Sequence, residues 1–220
     1  MRIVCLRVGQ WLKPLPCLFL RAIMSITKAN ILTRVNERLQ TSLTDIDTQI
    51  QEILDDLSEE DLLVDTDSTQ SLESGDTTLD EPTGYRAMIA ISLTITDSSS
   101  EQFPLKKLPG GHKQYRELRH NDDSTGIPRW YSHFNGKFYL WRPANQDFTV
   151  VIEYYKNHPQ DVDNIEFDDN FKNAIYAGVT WKVALEKGRT RMINQWGPIY
   201  FDAKQKRINS MVHQPRIVRG

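Results

Sequence analysis

RWYSHFNGKFYLWRP, residues 129–143, reads as a β-hairpin. Two alternating, aromatic-rich stretches flank Asn135-Gly136, the dipeptide that most favours a two-residue type I′ turn, because both central positions need positive φ. Neighbouring segments extend the β signal. Residues 85–96, YRAMIAISLTIT, form a long β-prone run with partial alternation, and residues 148–155, FTVVIEYY, supply another after a turn at Gln146-Asp147. Residues 103–108 suit a short edge strand because Pro104 and Pro109 cannot donate to a ladder. Leu62-Leu63-Val64 begins a further strand, residues 65–83 are rich in Asp, Ser, Thr and Gly, and residues 112–119 are compatible with a short helix. Residues 62–159 are therefore expected to form a small antiparallel β module of about four to six strands.

Outside this module the hydrophobic period changes from two to between three and four. Ile26, Ala29, Leu32, Val35 and Leu39 mark one helix, with Ser25 as expected N-cap and an end near Gln40. Ile46, Ile50, Ile53, Leu54 and Leu57 mark a second, with Thr44 as expected cap and Asp47 three residues on. So short a connection makes residues 24–61 a helical hairpin. Past the module, Asp168-Asp169 suit a helix start, and Phe171, Ala174, Ile175, Trp181 and Leu185 continue it to a C-cap at Gly188. A last amphipathic segment begins at Arg189, and Pro198 within it calls for a kink or a break near Trp196. Residues 160–211 thus complete the core, and residues 212–220 form an extended basic tail. The expected fold is α+β: an antiparallel four-helix core, αα-hairpin then αα, interrupted by an inserted β module.

Residues 1–23 carry Arg2, Arg7, Lys13 and Arg21 without an acid. Three readings stand: an extension upstream of a start at Met24, an ordered arm, or a targeting signal, the last opposed by Pro14, Pro16 and Arg21. Over the whole chain, 39% hydrophobic and 25% charged residues are ordinary for a globular protein. A net charge of −2 gives no global attraction to nucleic acid or a membrane. No apolar run reaches the ~18–20 residues that span a bilayer. The two cysteines, Cys5 and Cys17, form no disulfide framework and suit a reducing compartment.

The search for catalytic chemistry is negative. Gly110-Gly111 is followed by His112-Lys113, not by the Gly-Lys-Ser/Thr of a phosphate loop, and there is no Gly-x-Ser-x-Gly elbow. Glu117 and His120 form only half of a di-iron motif. The acids from Asp161 to Asp169 fail as a calcium loop, with Glu166 where glycine belongs and Lys172 where a bidentate Glu belongs. No catalytic residue, cofactor or metal is expected. Trp130, Tyr131, Tyr139, Trp141 and Tyr154 are read as the β-module core rather than as stacking platforms.

Charge is distributed unevenly. Residues 40–84 contain fourteen acids and no Lys or Arg, whereas from Gly188 onward seven cations face Asp202 alone. Asp55, Asp56, Glu59, Glu60 and Asp61 are candidates for an acidic interface or a lumen face. Arg207, Arg216 and Arg219 are candidates for a docking tail. Opposite charges at two separate places suit a head-to-tail contact between copies.

The order of these segments resembles the head-to-tail adaptor (head completion or connector) proteins of tailed bacteriophages. The resemblance runs through the hairpin at residues 25–57, the strand at 85–95, Ile127-Pro128-Arg129-Trp130-Tyr131, Leu140-Trp141-Arg142-Pro143, Glu153-Tyr154-Tyr155-Lys156, and the helix at residues 171–178. It implies a virion protein of the neck, assembled in the host cytoplasm as a ring of about twelve subunits. Implied partners are the portal, neighbouring copies, a tail or tail-completion (nozzle) protein and sliding, non-sticking DNA, with no membrane and no enzymatic activity. Other neck or tail parts, such as a tail terminator or distal tail subunit, and a nucleic-acid-binding packaging accessory remain alternatives.

Overall fold

Thr27 caps the first helix: its Oγ1 accepts from Asn30 N at 3.3 Å. The computed structural model describes residues 26–96 and 101–212. The expectations for Ser25, for residues 1–23 and for tail residues 213–220 lie outside them. Helix α1 (Lys28–Leu39) buries Ile31, Val35 and Leu39 along one stripe and ends at Gln40 in the left-handed conformation. The Asn36 side chain closes the following loop, accepting from Leu43 N and donating to Leu43 O, each at 2.9 Å. Helix α2 (Asp47–Ser58) buries Ile50, Ile53, Leu54 and Leu57. Thr44 is not its cap. Asp45 Oδ1 instead accepts from Asp47 N, and Lys28 holds the Asp47 carboxylate 2.6 Å away, so a neighbouring acid and a cation across the hairpin replace the expected capping box.

The β module contains more strands than expected, nine among the described residues. They are β1 (Val64–Asp67), β2 (Ser71–Leu72), β3 (Thr78–Asp80), β4 (Tyr85–Ile95), β5 (Gln102–Pro104), β6 (Lys106–Lys107), β7 (Trp130–Phe134), β8 (Lys137–Trp141) and β9 (Phe148–Lys156). One sheet runs β1-β9-β4-β5 with β2 also on β9, and the other runs β3-β8-β7-β6. All pairings are antiparallel except β6 with β7, which is parallel. The single strand expected over residues 103–108 is two strands in different sheets. Leu105 N bonds Ile91 O and Lys106 N bonds Arg129 O, so the chain crosses from one sheet to the other, with Phe103 and Leu105 buried. The hairpin is as the sequence reads: Asn135 and Gly136 have φ of 50° and 72°, and Phe134 pairs with Lys137.

Helix α3 (Gly111–Asn121) lies on the outer face of β7 and β8. After β9, a single 3-10 turn capped by Asp168 leads into α4 (Lys172–Glu186). Gly188 N bonds Leu185 O and Arg189 N bonds Ala184 O, the paired bonds of a glycine-terminated helix end, with Gly188 at φ 62°. Helix α5 (Thr190–Val212) then runs continuously through Pro198, which sits on its exposed side.

Buried apolar residues fall into two clusters. One joins α1, α2, α4 and Tyr200 of α5 with Leu62, Leu63, Ile165 and Phe167. Helix α4 packs against α1, α2 and α5. The other lies between the two sheets and includes Leu93, Phe138, Leu140, Phe148, Val150 and Ile152.

Candidate interaction surfaces

The acids of α2 and the cations of α5 meet within one chain. Lys204, buried, lies 2.9 Å from Asp56 Oδ2 and 3.0 Å from Glu60 Oε1, and the Tyr200 hydroxyl donates to Asp56. Burial pushes the Lys204 ammonium down, but the two carboxylates outweigh it and its pKa ends above the usual lysine value. Burial raises the Tyr200 phenol strongly and Asp56 adds to the effect, so the hydroxyl keeps its proton and serves as a donor. Asp61 is paired with Arg86, which also donates to Ser58 O at 3.1 Å. Of the five proposed acidic positions, Asp55 and exposed Glu59 therefore reach no cation among the described residues.

A second polar assembly joins the helices to the β module. Lys156 at the end of β9 lies 3.2 Å from Asp65 and 2.8 Å from Glu166. Next to it, buried His158 uses its backbone N–H and both ring nitrogens. Its N–H donates to Ser58 Oγ at 3.0 Å, Nδ1 lies 2.7 Å from Pro159 O, and Nε2 accepts from Glu166 N at 3.0 Å. Its ring stacks on Phe167. A ring that donates from Nδ1 and accepts at Nε2 is neutral.

The third surface is the outer face of β7 and β8. Helix α3 covers its middle: His112 Nδ1 lies 3.3 Å from Ser132 Oγ, and the His112 ring stacks on Phe134 and meets Tyr139. Trp130 and Trp141 face each other across the ladder beyond the helix. Tyr131 and Tyr154 belong to the buried cluster, while Trp130, Tyr139 and Trp141 are half-buried on this outer face. Lys106 Nζ lies 6.0 Å from the Trp130 ring, and the Arg129 guanidinium 5.3 Å from Phe103.

The structure thus separates the tail candidates. Arg207 lies on α5 with its guanidinium 6.0 Å from the Phe171 ring, and Arg216 and Arg219 fall outside the described residues. The cations of α3 were not singled out from sequence. Their signal was present: residues 106–119 hold Lys106, Lys107, Lys113, Arg116 and Arg119 against Glu117 alone.

Among known families, the model of the SU10 adaptor protein matches residues 26–216. The chain belongs to the SU10 adaptor protein family. This is a family of phage head-to-tail adaptors, so the protein is a phage structural adaptor and a virion component. The match spans both the helices and the β module. No curated protein matches this chain. Among its described residues, no helix is long and apolar enough to cross a membrane.

Proposed function

We propose that the protein forms a ring of about twelve copies beneath the portal and joins capsid to tail around the DNA channel. The supporting observation is the family match, which covers the chain from the start of α1 into the tail. In this reading the portal is bound on one side and a tail-completion (nozzle) protein on the other. Arg207 and residues 212–220, with Arg216 and Arg219, form the docking tail. The acid-rich, cation-free stretch from residue 40 to residue 84 keeps DNA phosphates from sticking during passage. The protein acts by binding alone, without catalysis or a cofactor. The nucleic-acid-binding alternative rests on the cations of α5, and two of these are occupied: Lys204 by Asp56 and Glu60, Lys206 by Asp202 at 2.6 Å.

Mass photometry of the full chain, alone and with the portal from the same genome, tests this function. A portal-bound ring near twelve copies is expected. A chain lacking residues 212–220 is expected to keep its fold, by circular dichroism, and to lose portal binding. A full chain that ignores the portal overturns the reading.

A further inference from the structure

Several cations of the helical body are committed to carboxylates: Lys28 to Asp47, Lys182 to Glu52, and Lys204 to Asp56 and Glu60. The α3 side of the β module differs. Among the described residues, Lys106, Lys107, Lys113, Arg116 and Arg129 reach no carboxylate, and all five are exposed. Next to Lys113 and Arg116 is an apolar element. Phe134, at the hairpin tip, is 53% exposed and forms one wall of an open groove of about 680 Å³ together with His112, Lys113, Arg116, Glu117 and His120. An exposed aromatic beside an arginine has the composition of a protein-binding surface.

The same chain carries a surface of opposite character. A groove of about 420 Å³ on α2 is lined by Asp47, Gln51, Glu52, Asp55, Gln160 and Val162. Lys28 and Lys182 occupy Asp47 Oδ2 and Glu52. Asp55 meets only amides, from Gln51 at 2.8 Å and Gln160 at 3.4 Å, and Glu59 one turn on is exposed. Asp47 Oδ1 and Gln51 Oε1 are buried acceptors with no donor among the described residues. Buried acceptors in this state are normally satisfied by a partner or by ordered water. Excess donors on one face and excess acceptors on another are complementary between two copies.

We infer that the α3 face of one copy docks on the α2 groove of the next, with Lys113 and Arg116 supplying the cations that Asp55 and Glu59 lack. The inference rests on the ring reading above and names its lateral contact. The two surfaces differ, so the contact is head-to-tail: each copy keeps one of each free, and repetition closes a ring or extends a filament. Phe134 supplies the desolvated anchor, while the charges set register and exclude wrong pairings.

Charge reversal on the full chain tests the contact. K113E/R116E removes one half and D55K/E59K the other, and neither pair holds the fold together. Sedimentation velocity at low salt should show wild-type self-association that weakens as salt rises. Each variant alone should associate at least about tenfold more weakly. An equimolar mixture of the two should recover association, because every junction in an alternating assembly again joins opposite charges. A wild type that stays monomeric, variants that associate normally, or a mixture without rescue each overturn the contact. Salt-sensitive DNA retention lost in K113E/R116E, without self-association, overturns it in favour of a nucleic-acid face. Portal binding by a full chain that does not self-associate would remove this lateral contact and leave the adaptor reading standing; loss of portal binding in the wild type would remove the adaptor reading itself.

Discussion

Lys204 on α5 lies 2.9 Å from Asp56 Oδ2 on α2, with only 11% of the lysine side chain exposed. The pair places a positive charge inside the helical body, and Glu60 and Tyr200 complete its surroundings. Removing the acid leaves an ammonium that water barely reaches, whereas removing the lysine returns two partly exposed acids to solvent. Asp56 is 40% exposed, so screening reduces the cost below the ~3–5 kcal/mol of a fully buried pair. Asp56→Ala is expected to lose about 1–2 kcal/mol and Lys204→Met less, measured as urea-denaturation midpoints at neutral pH. Equal losses, or the reverse order, would contradict this asymmetry.

At Gly178, α4 lies tight against side chains of α2 and α5. A Cβ there would stand 2.8 Å from Ile53 Cδ1 and 2.9 Å from two carbons of the Tyr200 ring. Alanine favours a helix over glycine by ~1 kcal/mol, yet both neighbours are fully buried and have little room to move. Overpacking wins. Gly178→Ala is expected to destabilise by about 1–2 kcal/mol net, read from thermal melting, and a stabilised variant would show that Ile53 and Tyr200 yield freely.

Gly136 works through its backbone. Nothing lies within 4 Å of a Cβ placed there, so space is not the constraint. Its φ of 72° is the constraint, and an L side chain pays ~1–2 kcal/mol for that conformation. Gly136→Ala should therefore lose about 1 kcal/mol while its melting stays cooperative. The alternative outcome, an unchanged midpoint, would mean that the turn relaxes to another type.

The contrast between these two glycines shows which parts of the fold were legible in the sequence. Gly136 was legible because Asn-Gly between alternating aromatics is a local signal. Gly178 was not, since its neighbours Ile53 and Tyr200 come from helices far away in the chain. The helix stripes were legible for the same local reason, through Val35, Leu54 and Ile175. The strands at residues 71–72 and 78–80 were missed because their buried content is Leu72 and Leu79 among acids and hydroxyls, too little to set a period. Charge was read by sign along the chain, so the basic end of the protein was matched to a neighbour. In the fold, Lys204 turns back onto its own α2, while Lys113 and Arg116 of α3 reach no carboxylate among the described residues, a pairing that only tertiary structure decides.

His158 links the two modules and should make their junction sensitive to acid. Its ring donates from Nδ1 to Pro159 O and accepts at Nε2 from Glu166 N, an arrangement that a second ring proton would break. Burial holds its pKa below the usual 6.5, and the hydrogen bond to the Pro159 carbonyl and the carboxylates of Glu166 and Asp55, opposed by Lys156, only partly offset this. The unfolded chain therefore takes up the proton first as pH falls. Stability is intact above about pH 6.5, declines below it, and levels off once the folded imidazole also titrates. Urea midpoints are expected to fall between pH 7 and 5.5 in the wild type. His158→Gln, whose amide can replace one of the two bonds but does not titrate, should start about 1–2 kcal/mol lower at pH 7 and show a flatter slope over that window. If the slope is the same in both proteins, the acid sensitivity lies elsewhere and His158 is only a packing residue.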